Sequence, residues 1–183
     1  MANLNWLSIV RGVESDLVYT LAGSRIWPKT SKLVFSADVL TVFDQYRQIS
    51  DTSPESGGQL FGTFRSGILI VCVATVPKAG DLQTRYSFKP ESDGEQADIL
   101  YQFEQGNHYI GDWHTHPEDR PKPSRLDKSN FKQIVRKSKK ELGSFVMVIV
   151  GRDVPSAGLY VATCNGRKFR TLKPNIIAGS LQS

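Results

Sequence analysis

Short apolar segments alternate along the chain with longer segments in which apolar residues recur every three or four positions. Segments rich in branched and aromatic side chains predict strands at 32–36, 68–76, 108–114, 145–150, 159–164 and 169–172, with a hairpin that begins at Gly62 and turns at Ser66-Gly67. Amphipathic spacing predicts helices at 36–48, 95–103 and 124–140. This order indicates an α/β sandwich, in which helices pack on a largely continuous sheet.

The apolar positions of each helix mark the face that is expected to pack on the sheet. In the first helix, which Ser36 is expected to cap, they are Val39, Leu40, Val42, Phe43 and Tyr46. In the other two helices they are Ile99, Leu100 and Phe103, and then Leu126, Phe131, Ile134 and Val135. These side chains are the predicted helical share of the core.

The length of 183 residues fits one domain, 1–183, rather than two. Within it, the polar segment 77–94 carries two prolines and two glycines and is interpreted as an insertion loop without strong structure. Hydrophobic residues make up 39% and charged residues 22%, as in ordinary globular proteins, and no apolar run is long enough to cross a bilayer.

The compartment is inferred from the N-terminus and the cysteines. The sequence that begins at Met1 lacks the features of a secretory signal. The two cysteines, Cys72 and Cys164, share no metal-ligand spacing and fit small buried hydrophobic positions. We therefore expect a cytoplasmic protein.

The net charge of +5 leaves the partner open. Basic residues concentrate between Arg120 and Lys140, where the last of them close a predicted helix and complement its dipole. The same cluster also permits binding of nucleic acid or of an acidic partner.

Two of the three histidines stand in the segment Gly111-Asp-Trp-His-Thr-His-Pro117. Residues i and i+2 of a strand point to the same face, so His114 and His116 can converge on one cation. Half-buried strand histidines also occur without a metal, and this pair alone leaves both interpretations open.

Two carboxylates flank this pair in sequence. Ser124 and Asp127 have the spacing of a helix N-cap, and a rigid helix start is also a good support for a carboxylate ligand. Two imidazoles and one aspartate leave the fourth tetrahedral position of zinc open, as a catalytic site requires. Glu55 stands just before a glycine pair, Gly57-Gly58, that allows close backbone packing.

Together these segments resemble the motif of the JAB/JAMM (MPN+) zinc metalloproteases, in which a glutamate precedes a glycine-bearing strand, followed by His-x-His-Pro and Ser-x-x-Asp. The resemblance spans residues 55–127 and implies a single-domain, cytidine-deaminase-like α/β sandwich with a mixed central sheet. It implies one Zn²⁺ per chain, held by His114, His116 and Asp127. It also implies that Glu55 is the general base and that Ser124 hydrogen-bonds the oxyanion.

Two other families that use His-x-His are excluded by counting. Binuclear hydrolases of the metallo-β-lactamase type continue the motif with aspartate and further histidines, whereas Glu118 and Asp119 follow here. TIM-barrel amidohydrolases need more histidines and about 250 residues.

The residues around the histidines narrow the resemblance. Trp113 lies directly beside His114. This arrangement is similar to that of the stand-alone bacterial JAB proteins of anti-phage CBASS operons. Gln59 is a departure, because the family strand is often aliphatic there. The resemblance implies a deconjugating isopeptidase that frees the C-terminal tail of a cGAS/DncV-like nucleotidyltransferase from a target lysine.

Three alternatives remain at this stage. A JAB protease of another bacterial ubiquitin-like operon would share the same chemistry. A catalytically unused MPN scaffold usually lacks motif residues, and this chain lacks none. A nucleic-acid binder would use the basic cluster, but residues 1–54 show no helix-hairpin-helix pattern.

A further expectation concerns the loop between the second histidine and the helix. Arg120, Lys122, Arg125 and Lys128 cluster around the second half of the motif, and we expect them to form a basic rim at the mouth of the site. Such a rim would steer an acidic substrate tail during encounter.

Overall fold

The structure is a computed structural model, and it describes residues 17–21, 26, 30–138 and 142–176. Within these residues, no helix has both the length and the apolar character needed to cross a membrane.

The described chain forms eleven strands and four helices. The strands are β1 Leu17–Thr20, β2 Lys32–Phe35, β3 Gly57–Arg65, β4 Ile68–Ala74, β5 Leu82–Thr84, β6 Ser87–Lys89, β7 His108–Thr115, β8 Phe145–Val150, β9 Leu159–Cys164, β10 Phe169–Thr171 and β11 Pro174–Ile176. The helices are α1 Ala37–Gln45, α2 Ser92–Glu104, α3 Arg125–Lys137 and α4 Pro155–Gly158.

Nine strands form one sheet in the order β10-β9-β8-β7-β3-β4-β2-β1-β11. The β2–β4 and β7–β8 pairs are parallel and the other pairs are antiparallel. The mixed α/β architecture expected from the sequence is therefore confirmed. The order places β7, which carries the histidine pair, between β3 and β8 in the interior of the sheet.

Helix α1 packs on one face of this sheet through aromatic contacts. The ring of Phe43 lies 5.3 Å from that of Trp113 on β7 and 5.7 Å from that of Phe35 on β2. The predicted cap is present, because the Ser36 side chain accepts a hydrogen bond from the Val39 amide. The apolar stripe of this helix is confirmed, since its members are buried or packed against the core.

The apolar faces expected for the other two helices are only partly confirmed. Phe131 and Val135 are buried, but Leu100, Phe103, Leu126 and Ile134 are exposed. Phe103 and Ile134 are exposed because they line an open cleft between α2 and α3. Apolar spacing alone does not distinguish a face that lines a cleft from one that is buried.

Other expectations also need correction. The segment 77–94 is not a plain loop, because β5 and β6 pair within it as a separate hairpin and α2 begins at Ser92. Strands β1 and β11, which extend one edge of the sheet, have no counterpart among the predicted elements. Cys164 is buried as expected, whereas Cys72 is partly exposed.

Candidate metal centre

The histidine pair lies at the C-terminal end of β7. His114 belongs to the strand, and His116 follows it with its amide donating to the Val150 carbonyl of β8 at 2.9 Å. The two imidazole rings are 5.0 Å apart, so both side chains reach the same face of the sheet. The convergence expected from their spacing is therefore confirmed.

Asp127 reaches the same place from the start of α3. Its Oδ1 is 3.8 Å from the Nε2 of His114, and its Oδ2 is 3.5 Å from the Nε2 of His116. Ser124 holds this carboxylate through a capping box: its amide donates to Oδ2 of Asp127 at 2.6 Å, and its Oγ accepts from the Asp127 amide at 3.0 Å. Asp127 thus caps the helix and also lies beside both histidines, so the two roles that the sequence left open occur together.

Glu55 closes the cluster from the loop that precedes β3. Its side chain is only 7% exposed, and its carboxylate lies with the two imidazoles so that the three ligand atoms are within 4.8 Å of one another. Its amide donates to the Thr84 carbonyl of β5 at 2.7 Å, which attaches the hairpin to this loop.

The glycines next to Glu55 permit this approach. A Cβ on Gly58 would lie 2.3 Å from the Thr75 carbonyl oxygen, and one on Gly57 would lie 2.7 Å from that of Trp113. These distances are too short for any side chain. The close backbone packing expected of the glycine pair is therefore confirmed.

These residues fit a divalent metal. The Nε2 of His114 is buried and, among the described residues, has no hydrogen-bond partner. Such an atom is costly to bury unless a ligand satisfies it. Two ligands of one tetrahedral zinc lie about 3.3 Å apart, close to the separations between the Asp127 oxygens and the imidazoles. Two nitrogens and a carboxylate are a donor set that suits zinc.

The pKa values at this centre are shifted by burial and by the closeness of the four side chains. Burial would lower the pKa of His116, but nearby Asp127 outweighs this and raises it. Burial lowers the pKa of His114, which favours the neutral imidazole that binds a metal. Burial would raise the pKa of Asp127, but the two imidazoles, 3.8 and 3.5 Å from its oxygens, outweigh this and lower it. Burial raises the pKa of Glu55 to about 7, although nearby His116 lowers it and Asp127 adds to the rise.

Comparison with known proteins identifies the family. Residues 45–163 match the family described as prokaryotic homologues of the JAB domain. The chain belongs to the prokaryotic JAB family.

Several relatives share a single name. A "CD-NTase/cGAS isopeptidase" of Pseudomonas aeruginosa is 38% identical over 69% of this chain and 85% of its own length. Proteins of the same name from Vibrio cholerae and Escherichia coli are each 36% identical, over 66% of this chain and 76% of their own length. A solution structure from Desulfitobacterium hafniense, 16% identical, matches with a TM-score of 0.50 over 74% of this chain and 84% of that one, which concerns the fold alone.

A buried glutamine beneath the metal centre supports it and was not recognised from the sequence. Gln48 is fully buried; its Oε1 accepts from the Thr115 hydroxyl, and its Nε2 donates to the carbonyls of Ser53 and Arg85. The Thr115 oxygen in turn accepts from the Ser56 amide at 3.0 Å. Thr115 lies between the two histidines and Ser56 follows Glu55, so this network joins the metal strand, the glutamate loop and the hairpin. No spacing rule marks such a residue in advance.

A cavity of about 230 Å³ opens beside the metal centre. Glu55, His114 and Asp127 line one side of it, the hairpin contributes Phe88 and Lys89, and Glu95 and Asp112 line the rest together with apolar residues. Its charged lining is mainly acidic.

The expected basic rim does not line this cavity. Within the described chain, none of the four basic residues at positions 120, 122, 125 and 128 is among its lining side chains, and Arg120 instead pairs with Asp153 at 3.4 Å. A steering role for these charges stays a prediction. The oxyanion role of Ser124 also stays a prediction. Its Oγ accepts from the Asp127 amide, and its hydroxyl hydrogen is left to donate.

Proposed function

We propose that this chain is a zinc-dependent isopeptidase that hydrolyses the bond between the C-terminus of a conjugated protein and a target lysine. The conjugated protein would be a cGAS/DncV-like nucleotidyltransferase of a bacterial antiviral CBASS system. The observation that carries this proposal is the convergence of Glu55, His114, His116 and Asp127 around an unpartnered buried imidazole nitrogen. The shared name of the relatives supports the substrate class.

In this proposal His114, His116 and Asp127 hold the zinc. When bound, zinc polarises a carbonyl group and lowers the pKa of water toward about 7. Glu55 takes the proton of the attacking water and passes it to the departing lysine amine. The carboxylate of Glu55 lies with the two imidazoles, within 4.8 Å of their ligand atoms, which places it within reach of a water held at this centre.

Ser124 donates its hydroxyl hydrogen to the oxyanion that develops on the scissile carbonyl. The capping box holds this side chain at the start of α3, within the same turn as Asp127. The oxyanion donor and the zinc ligand would therefore be positioned by one structural element.

The β5–β6 hairpin supports recognition of an extended tail. It lines the cavity through Phe88 and Lys89, and the Glu55 amide bonds to Thr84 on its other strand. An extended C-terminal tail that adds as a strand beside this hairpin would reach the metal centre, with main-chain hydrogen bonds as the source of affinity.

The test uses the zinc-loaded protein and a cGAS-like nucleotidyltransferase conjugated through its C-terminus to a lysine. Glu55→Gln should lower the rate of cleavage by about 100-fold or more and retain one zinc per chain, since Glu55 is not assigned as a ligand. The matched control is Glu104→Gln, an exposed glutamate at the end of α2, which should cleave at the wild-type rate. Full activity of Glu55→Gln would reject the assignment.

A further inference from the structure

A second space adjoins the metal centre. It is a cleft of about 710 Å³ between α2 and α3, over the N-terminal half of β7. Glu95, Asp112 and Ile134 line both this cleft and the smaller cavity that contains the metal ligands. The two spaces therefore meet at these three side chains.

A bulge in β7 shapes the junction. Leu60 of β3 pairs with Gly111 while Phe61 pairs with Tyr109, so Ile110 is the extra residue on β7. In a regular strand residues i and i+3 face opposite sides, but here the Tyr109 hydroxyl donates to Oδ1 of Asp112 at 2.8 Å. The bulge thus brings both side chains to the face that carries the histidines.

Glycine is required at this bulge. Gly111 has a φ of +147°, and a Cβ there would lie 1.8 Å from the Val146 carbonyl oxygen. The backbone conformation and the contact with β8 both exclude larger residues. The placement of Asp112 is therefore a consequence of Gly111 in the strand.

The carboxylates at the junction lack a cation. Asp112 and Glu95 are close enough for the charge of Glu95 to act on Asp112, and neither forms an ion pair with any described residue. The positive charge of Lys78 acts on Glu95, but the Nζ of Lys78 donates to Asp98 at 2.5 Å and to the Gly94 carbonyl at 3.2 Å. Lys89 lines the smaller cavity and Lys137 lines the cleft, but neither forms an ion pair with a described residue.

An unpartnered amide oxygen points to the same missing ligand. Gln59 stands opposite Asp112 in the β3–β7 ladder, is 4% exposed, and lines the cleft. Its Oε1 is buried and has no hydrogen-bond partner in the described part of the chain. A buried acceptor of this kind is costly unless a donor reaches it. Of the Asp112 and Glu95 carboxylates and this amide oxygen, only Asp112 accepts a side-chain hydrogen bond within the described residues, from Tyr109.

We propose that Asp112, Glu95 and Gln59 form an acidic subsite that binds a lysine or arginine side chain of the substrate protein. This proposal rests on the isopeptidase function proposed above. Ammonium and guanidinium groups supply several donors and the compensating charge, and such charge-assisted hydrogen bonds are strong. Asp112 precedes His114 by two residues on one strand face, a Cα separation of about 6.6 Å. The basic residue would therefore lie within about two residues of the scissile bond.

The test uses synthetic isopeptides and the zinc-loaded protein. Each isopeptide joins a tail peptide through its C-terminus to a lysine of a second peptide. The residues within two positions of the scissile bond are replaced in turn by lysine or by uncharged norleucine. At one position, wild-type protein should prefer lysine over norleucine by about tenfold in kcat/KM, the size expected for one charge-assisted contact.

The variants Asp112→Asn and Glu95→Gln should reduce this preference to about one. Asp93→Asn, an exposed carboxylate on the same helix as Glu95, is the matched control and should keep the preference. If Asp112→Asn fails to fold, Glu95→Gln provides the same test, because Glu95 is less buried than Asp112. A preference that persists in both variants, or its absence from every position in wild type, would overturn the subsite.

A binding measurement separates this proposal from the function on which it rests. Fluorescence anisotropy of the labelled peptides is followed on zinc-loaded Glu55→Gln protein, which should bind the lysine peptide about tenfold more tightly than the norleucine peptide. Adding Asp112→Asn should abolish that difference. If no isopeptide is hydrolysed by wild type but this binding pattern appears, the isopeptidase function fails and the subsite stands. Equal binding of both peptides would overturn the subsite even if hydrolysis occurs.

Discussion

At the metal centre, formed by Glu55, His114, His116 and Asp127, the two carboxylates share the space with two imidazoles. Asp127 lies between two imidazoles and accepts a main-chain amide. The acidic subsite lies only about 6.6 Å away along the same strand face. There Asp112 accepts one hydrogen bond, from the Tyr109 hydroxyl, and lies near Glu95. Neither carboxylate forms an ion pair with a described residue.

This difference shows how one strand can serve two purposes. Burying a charge or a polar group is costly unless a partner satisfies it. The metal centre satisfies most of its groups within the protein and leaves one imidazole nitrogen for a metal. The acidic subsite leaves its acceptors for a partner that arrives with the substrate. The predictions that follow test this contrast, in order of decreasing expected effect.

The largest effect is expected at the third ligand. Asp127→Ala should remove stoichiometric zinc and abolish hydrolysis, while the free energy of unfolding of the metal-free protein falls by only about 1 kcal/mol, the usual cost of a lost cap. Asp112→Asn should keep one zinc per chain, because it changes only the acidic subsite. Metal analysis and denaturant titration measure both quantities. Normal zinc content in Asp127→Ala would show that this aspartate is only a cap.

The next effect concerns the oxyanion. Ser124→Gly should lower kcat by about 10²–10³ with zinc retained, because one donor to the developing charge is lost. Glycine keeps most of the capping free energy, so the loss is not one of helix stability. Ser129→Ala, on the exposed face of α3, is the control and should retain wild-type turnover. Unchanged kcat in Ser124→Gly would leave Ser124 with a capping role alone.

Two buried glutamines extend the comparison to stability. Gln48→Leu should lower the free energy of unfolding by about 3 kcal/mol, because it leaves the Thr115 hydroxyl and two carbonyls without their partner. Gln59→Leu should change it by less than about 0.5 kcal/mol or raise it, since the Gln59 oxygen has no hydrogen bond to lose. Denaturant titration of both variants measures the difference. Equal losses would contradict the contrast between the two sites.

Glu55 should make the metal-free protein less stable as pH rises. Burial raises its pKa from 4.5 to about 7, so the folded state binds more protons than the unfolded state between these values. Stability is therefore lost between about pH 4.5 and pH 7, and Glu55→Gln should recover up to about 3 kcal/mol above pH 7. Melting curves of both proteins without metal at pH 4 and pH 8 measure this, with Glu104→Gln as the control. A gain that is the same at both pH values would refute the assignment.

The smallest effect is expected from the basic residues outside the cavity. Charge reversal at Lys122 and Lys128 should raise KM by about two- to fivefold at low salt and leave kcat nearly unchanged, since these residues would act only on encounter. High salt should remove the difference by screening. Lys168→Glu, exposed between β9 and β10, is the control for each single reversal, since it makes the same change in charge. Salt-independent turnover with unchanged KM would remove the steering role.

Local sequence patterns were sufficient for strands β2, β4, β7, β8 and β9 and for the residues that converge at the candidate metal centre. Alternation along β7 placed His114 and His116 on one face, and the capping spacing placed Asp127 at a helix start, because both are properties of neighbouring residues. The exposed positions of Phe103 and Ile134 were not predictable, because the separation of α2 from α3 depends on the whole assembly.

The sequence by itself therefore determined six of the strands, the three longer helices, the convergence of His114, His116 and Asp127, and the family to which the chain belongs. Those features depend on periodicity and on short spacings, because local backbone geometry sets the direction in which each side chain points. Only the tertiary structure decided the Gln48 network, the hairpin within 77–94 and the acidic subsite. Each of these joins residues that are distant in the chain, and the bulge at Ile110 reverses the strand periodicity that sequence reasoning assumes.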